Sequence, residues 1–140
     1  MKKILIVNAN YYKNISKKLV LSSKKKMNNY FKINIINVPG IHEIPIAIRK
    51  NIKRFDGFIA LGCVIKGQTP HFDLICSSTF NSILNLSINF NKPIGNGIIT
   101  AYNIKQALQR CKNTISKKPN KGSEAANAVM SILQNGIKKI

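Results

Sequence analysis

The sequence predicts an α/β protein, a three-layer sandwich in which a four-stranded parallel sheet carries helices on both faces. Two observations lead there. Short apolar runs alternate four times with segments of helical period, the order that builds parallel crossovers. The central run, Gly57 to Ile65, is apolar at every position, as a strand covered on both faces must be. The length agrees: 140 residues, 44% apolar, suit one domain, 1–140, around one core.

The elements follow in order. Ile4 to Val7 is a short buried strand ending at Asn8-Ala9-Asn10-Tyr11-Tyr12. From Ile15 to about Asn29, Leu19, Val20, Ser23 and Met27 recur near helical spacing with lysines between them, giving a helix with a basic outer face. Ile33 to Val38 is the second strand, broken by Pro39-Gly40. Ile44, Ala47, Ile48 and Ile52 then mark one helical face, with Pro45 tolerable only in the first turn. Gly57 to Ile65 is the third strand. Phe72, Cys76, Thr79, Phe80, Ile83 and Ser87 trace a long helix that ends near Asn89 to Pro93. Ile94 to Thr100 is a strand interrupted by Gly95 and Gly97, a pattern that marks close approach of another backbone or of a ligand. Ile104, Ala107, Leu108 and Cys111 define a helix with Arg110 near its end. A last helix begins at Asn120 to Glu124, carries Ala125, Val129, Ile132 and Leu133 on one face, and stops at Asn135-Gly136. Strand-helix four times plus one helix is a flavodoxin-like arrangement.

In such a sheet, ligands lie beyond the carboxyl ends of the strands. Gly62 to Asp73 is one such junction, a strand running through a polar loop into a helix. Thr69-Pro70 reads as a helix start, with threonine as cap and proline at the first helical position. The free N–H groups of Gly67, Gln68 and Thr69 and of the first turn then converge on an anion site. His71 falls beside that spot and Asp73 two residues on. An imidazole there is either a surface histidine or a proton carrier with a carboxylate to tune it. Ile41, His42 and Glu43 form a second loop-to-helix junction. Glu43, one of four acids in the chain, is either a dipole partner of the helix or an acceptor for ligand hydroxyls. Tyr11, at the end of the first strand, either packs on the following helix or stacks on a flat heterocycle.

The charge stands out: 23 Lys and Arg against 4 Asp and Glu, net +19. Such a balance suits nucleic acid or anionic substrates. The lysines, however, are scattered, dense only at Lys24 to Lys26 and between Lys112 and Lys121. No reader motif accompanies them, and a solvated surface is the favoured reading over a nucleic-acid site. Cys63, Cys76 and Cys111 lack any C-x-x-C pair, so neither a disulfide framework nor a metal site is expected, and reduced thiols point to the cytoplasm. No stretch is long enough to span a bilayer, and the N-terminal apolar run is too short for a signal peptide.

Three stretches together carry a resemblance: Val38-Pro39-Gly40-Ile41-His42-Glu43-Ile44-Pro45, Ala60 through Asp73, and Asn120-Lys121-Gly122-Ser123-Glu124-Ala125-Ala126. In order and spacing they resemble the 6,7-dimethyl-8-ribityllumazine synthase family of riboflavin biosynthesis, across nearly the whole chain. The resemblance implies a cofactor-free condensation of 5-amino-6-(D-ribitylamino)uracil with 3,4-dihydroxy-2-butanone 4-phosphate. It implies that Tyr11 stacks on the pyrimidine, that Ile41, His42 and Glu43 hold the ring and ribityl chain, and that Cys63, Val64 and Ile65 line the pocket. Gln68 and Thr69 then bind phosphate with Arg110 as charged partner, His71 transfers the proton, Lys121 supports the site, and Asn96 closes the pocket from a neighbouring subunit. Homopentamers or multiples of them, with active sites between subunits, follow from the same likeness. The chain departs from the family pattern at Tyr11 and His42, at Asn96 where many members have phenylalanine, and at Lys66 where arginine is usual. A basic nucleic-acid binder and a lumazine or flavin storage protein are the competing readings; His71 together with Arg110 favours catalysis, since storage needs no proton carrier.

Overall fold

A computed structural model describes residues 1–112 and 119–134. The strands are β1 (Lys3–Ala9), β2 (Lys32–Val38), β3 (Gly57–Ile65) and β4 (Ile94–Ala101). The helices are α1 (Lys13–Met27), α2 (Ile44–Lys50), α3 (His71–Phe90), α4 (Ile104–Gln109) and α5 (Lys121–Gln134), with a 3₁₀ turn at Ile41–Glu43 before α2. The sheet runs β2-β1-β3-β4, and all three pairings are parallel. The expected stop of α5, Asn135-Gly136, lies outside the described residues, as does most of the stretch between Lys112 and Lys121. Among the described residues no helix is long and apolar enough to cross a membrane.

Period-two alternation splits each central strand between two cores. Ile4 and Ile6 of β1 with Ile59, Leu61 and Cys63 of β3 pack against Ile15 and Leu19 of α1 and Ala125, Ala126 and Val129 of α5. On the opposite face, Leu5 and Val7 with Phe58 and Ala60 pack against Ile44 and Ile48 of α2 and Ile83 of α3. Both faces of β1 and β3 are thus buried, which is why their sequences read as unbroken apolar runs. The edge strand β2 keeps only partial burial.

Gly95 and Gly97 resolve toward the first of their two expected meanings, the approach of another backbone. A Cβ on Gly95 would sit 2.3 Å from the Ala125 carbonyl oxygen, and one on Gly97 would sit 3.0 Å from that of Lys121. The glycines let α5 lie directly on β4. Gly122 does the same between α5 and α1, where a Cβ would meet the Leu19 carbonyl oxygen at 2.4 Å; the Ser23 hydroxyl, buried, donates to the Gly122 carbonyl at 2.8 Å. Asn120 caps α5, its side-chain oxygen accepting from Ser123 N–H at 3.0 Å. At the far end of α3, Asn91 takes the left-handed conformation (φ 54°), a role for which asparagine ranks next to glycine.

One expectation is corrected at the start of α3. Thr69 does not cap the helix: the flanking position belongs to Pro70, which has φ −68° and ψ 0° and makes no side-chain capping bond. The Pro70 carbonyl accepts from Leu74 N–H at 3.1 Å, so the helical hydrogen bonds start one residue later than the threonine signal implies. Proline's fixed φ, already helical, does the preorganising that the hydroxyl was expected to do.

Candidate active site

A cleft of about 390 Å³ opens at the carboxyl edge of β1 and β3, lined by Ala9, Tyr11, Tyr12, Gly40, Ile41, His42, Cys63, Val64, Ile65, His71 and Ile75. Parallel pairing explains the gathering. The register sets Ala9 beside Val38 and Asn8 beside Leu61, so the segments leaving β1, β2 and β3 emerge on one edge. Asn10 N–H donates to the Val38 carbonyl at 3.1 Å, tying the first two exits together.

The walls differ in character. Ile41 (5% exposed) and Cys63 (8%) form a buried apolar floor. Tyr11 stands 75% exposed at the mouth, so it does not pack on the following helix. Its ring makes a T-shaped contact with Tyr12, with centroids 5.0 Å apart and planes at 78°, and its exposure leaves ring surface available to a flat ligand. Val64 and Ile65 are half-buried where β3 leaves the core. His42 and His71, the two histidines of the chain, are exposed on the rim.

Burial raises the pKa values of the ionisable groups in the floor. The Cys63 thiol is pushed up to about 12, by burial first and the neighbouring Cys111 second. The Tyr12 phenol is also raised, by burial, then by Cys63 and Tyr11. Both stay protonated at neutral pH, so Cys63 serves as an apolar wall and not as a nucleophile.

The 3₁₀ turn is fixed by its own acid. Glu43 Oε1 accepts from Gly40 N–H at 3.1 Å while Glu43 N–H donates to the Gly40 carbonyl at 3.2 Å. Glu43 thus holds the loop that carries Ile41 and His42. Its remaining exposure lies on a groove shared with His42, Pro45, Ser78 and Thr79 rather than on the main cleft. Gln68 and Thr69 are exposed in the β3–α3 loop, with α3, a helix of 20 residues, directly behind them. Among the described residues no carbonyl takes the N–H of Gly67, Gln68 or Thr69; the loop is anchored just upstream, where Lys66 N–H donates to the Ala101 carbonyl at 2.8 Å.

Arg110 is elsewhere. It follows α4, whose start is capped by Asn103 accepting from Gln106 N–H at 2.9 Å, and it lines a second cavity of about 340 Å³ with Phe72, Thr100, Ala101, Tyr102, Gln106 and Gln109. His71 and Phe72, adjacent in the chain, therefore look into different cavities. Lys121 joins the Arg110 side: its N–H donates to the Arg110 carbonyl at 2.8 Å, and its ammonium lies 3.4 Å from Glu124. Asn96 sits opposite Ala60 in the sheet, away from the cleft, with its side-chain oxygen accepting from Ile98 N–H at 3.0 Å.

One chain therefore brings Tyr11, Ile41, His42, Cys63, Val64, Ile65 and His71 together, and leaves Arg110, Lys121 and Asn96 apart from them. Four cleft residues were not singled out as site residues by the sequence reading: Ala9, Gly40, Tyr12 and Ile75. Tyr12 sits beside a tyrosine already singled out, and its signal was the doublet itself. Ile75 lies one helical turn after His71, and the i, i+4 spacing places it on the same face.

The chain matches the family model for 6,7-dimethyl-8-ribityllumazine synthase over residues 1–135. It is 38% identical over 137 residues to the 6,7-dimethyl-8-ribityllumazine synthase of Campylobacter jejuni (strain 81-176), covering 94% of this chain and 87% of that one. The protein of the same name from Bartonella henselae is 39% identical over 137 residues, covering 93% and 85%. That from Methylorubrum populi is 35% identical over 139 residues, covering 94% and 80%.

Proposed function

The chain belongs to the 6,7-dimethyl-8-ribityllumazine synthase family, and we propose that it condenses 5-amino-6-(D-ribitylamino)uracil with 3,4-dihydroxy-2-butanone 4-phosphate in the cleft between Tyr11 and His71. The observation that carries this reading is the cleft itself: an exposed aromatic ring, an apolar floor and an imidazole on one rim.

The chemistry divides among the residues by what each can do. The exposed ring of Tyr11 stacks on the pyrimidine while Ile41, Val64 and Ile65 exclude water from its far side. His42, which lines both the cleft and the neighbouring groove, meets the ribityl hydroxyls at the rim, and the chain reaches the remaining oxygen of Glu43 where it runs on into that groove. His71 takes a proton as the amine adds to the ketone and returns one as water departs. The leaving phosphate lies on the N–H groups of Gly67 to Thr69, with the dipole of α3 behind them. The family's chemistry requires neither metal nor redox group, and the residues on this rim are sufficient for proton transfer and orientation.

Arg110 is the charged partner that this phosphate position needs, yet in a single chain it lines the other cavity. The reading is therefore that a neighbouring copy supplies Arg110, Lys121 and Asn96, with sites between subunits of a homopentamer or its multiples. The family is typically oligomeric. The outer face of α3 gives physical support, exposing Leu74, Leu84 and Ile88 at 65, 59 and 68% beside Ile46 at 59%, an apolar surface of the kind that a second copy covers. The three free thiols fit a cytoplasmic enzyme of one domain, and the +19 charge is read as solvated surface rather than a nucleic-acid site. Sedimentation at several ionic strengths tests the assembly; a monomer at every salt concentration overturns shared sites.

The deciding experiment mixes the protein with both substrates and follows lumazine formation optically. Formation well above the uncatalysed background is expected, falling about 10²- to 10⁴-fold in His71→Ala with pyrimidine binding retained. Formation at background by a folded, ligand-binding protein would instead make this a storage protein.

A further inference from the structure

The surface between α1 and the edge strand β2 holds a cleft that the proposed reaction does not use. It measures about 340 Å³ and is lined by Asn8, Asn10 and Asn37 on the sheet side and by Lys13, Ser16, Lys17, Val20, Leu21 and Lys24 on the helix side. At 100° per residue the three lysines fall within about 40° of one another on α1. None of the four carboxylates of the chain, Glu43, Asp56, Asp73 and Glu124, lines it, so the positive stripe is not neutralised by side chains within the cleft.

A lysine stripe alone is a solvated face. What distinguishes this one is Asn8, a carboxamide 5% exposed in a position otherwise reserved for core residues. Asn8 Nδ2 donates to Asn37 Oδ1 at 3.1 Å, while its own Oδ1 is buried and accepts nothing among the described residues. An unpaired buried acceptor is a standing cost, and natural cores rarely keep one without a use. Its bonded neighbour Asn37 is exposed and lines the same cleft as Asn8, so the carboxamide pair forms the sheet side of the cleft. The partner that fits must then bring a hydrogen-bond donor for Asn8 and an anion for the lysines.

We propose that this cleft is a second ligand site for a small hydroxylated phosphate ester, with Lys13, Lys17 and Lys24 on its phosphate and Asn8 on a hydroxyl. The volume suits a five- or six-carbon sugar phosphate, and Val20 and Leu21 give its carbon skeleton an apolar rest. The site shares no residue with the cleft of Tyr11 and His71, so it stands whether or not that cleft performs the condensation.

The test is calorimetric titration of the full-length protein with ribose 5-phosphate, inorganic phosphate and ribose as probes, in an Arg110→Ala background that removes the other charged phosphate position. Ribose 5-phosphate is expected to bind more tightly than either fragment. Lys17→Gln with Lys24→Gln should weaken it at least tenfold, whereas the control pair Lys50→Gln with Lys53→Gln should leave it unchanged. Asn8→Leu should weaken ribose 5-phosphate severalfold and leave inorganic phosphate unaffected. Absence of binding in the Arg110→Ala protein would overturn the proposal, as would equal losses in the two lysine pairs, the mark of diffuse charge. Equal affinity for phosphate and its ester would overturn it too. Should Asn8→Leu fail to fold, the surface lysine pairs still decide the matter.

Discussion

Gly62 is the position where one methyl group should couple the core to catalysis. It lies in β3 immediately before Cys63, and a Cβ there would stand 2.9 Å from Ile41 Cγ2 and 3.0 Å from Ala9 Cβ. Carbon atoms rest at about 3.5–4.0 Å, so Gly62→Ala demands a separation of roughly 0.5–1 Å between β3 and its neighbours. Neither neighbour yields easily: Ala9 ends at its Cβ, and a χ1 change at the β-branched Ile41, 5% exposed, would drive its other γ carbon into packed surroundings. The strand pairing β1 to β3 resists movement, so the 3₁₀ turn carrying Ile41 and His42 is what yields. Overpacking of this kind costs about 1–3 kcal/mol. For a chain of 140 residues that corresponds to a Tm lower by about 3–10 °C at fixed protein concentration. The kinetic effect should be larger, because a shift of about 1 Å in a positioning wall is worth up to about 10²-fold in rate. Thermal unfolding and steady-state kinetics on Gly62→Ala measure both, and KM for the pyrimidine should rise more than KM for the phosphorylated substrate. Wild-type Tm with wild-type KM for the pyrimidine would refute the reasoning, since the methyl would then have been accommodated without moving Ile41.

Other perturbations separate the remaining parts of the molecule. Arg110→Ala removes a charge-assisted contact worth about 1.5–3 kcal/mol, so use of the phosphorylated substrate should fall about 10- to 100-fold with pyrimidine binding intact; equal losses for both substrates would sink the division of roles. Lys92→Met deletes an ammonium that donates to the carbonyls of Ile52 and Phe55, the second at 2.9 Å, and should lower stability by about 1.5–3 kcal/mol in urea unfolding without changing KM. The Cys63 thiol, raised to about 12 by burial, stays neutral in the folded state after the unfolded thiol has ionised. Its contribution to stability is therefore whole below the unfolded pKa of 9.0 and lost as pH rises from there toward 12. Cys63→Ala should flatten the alkaline fall in Tm, and an unchanged slope would assign that fall to other groups.

Much of the site was legible because parallel strands deliver their carboxyl ends to one edge. Ile4 to Val7 and Gly57 to Ile65 read as buried parallel strands, which sends Tyr11, Ile41 and His71 to one edge; that β1 and β3 are direct neighbours, so that the three meet, came from the pairing itself. Glu43 was legible only as one of two alternatives. The structure adds that one oxygen is spent on Gly40 N–H, a bond set by the local turn and invisible to any periodicity. The cap at Thr69 misread for a similarly local reason: a hydroxyl before proline has the right chemistry, but the helix takes its first carbonyl from Pro70 itself.

The sequence by itself determined the four parallel strands and the edge where ligands gather, because apolar period and glycine or proline breaks are properties of short segments; that the sheet divides the interior into two cores rather than the single one expected was shown by the packing. Only the tertiary structure decided which charged groups share a cavity. Arg110 is 39 residues from His71 in the chain, and whether the two meet depends on how α4 turns after β4. Here that turn sends Arg110 and Phe72 into one cavity while His71 faces another. It also decided that Gly95 and Gly97 serve α5 rather than a ligand, since only packing reveals what a missing Cβ makes room for. Contacts between distant segments are set by the relative placement of whole elements, and that information belongs to no single stretch of the chain.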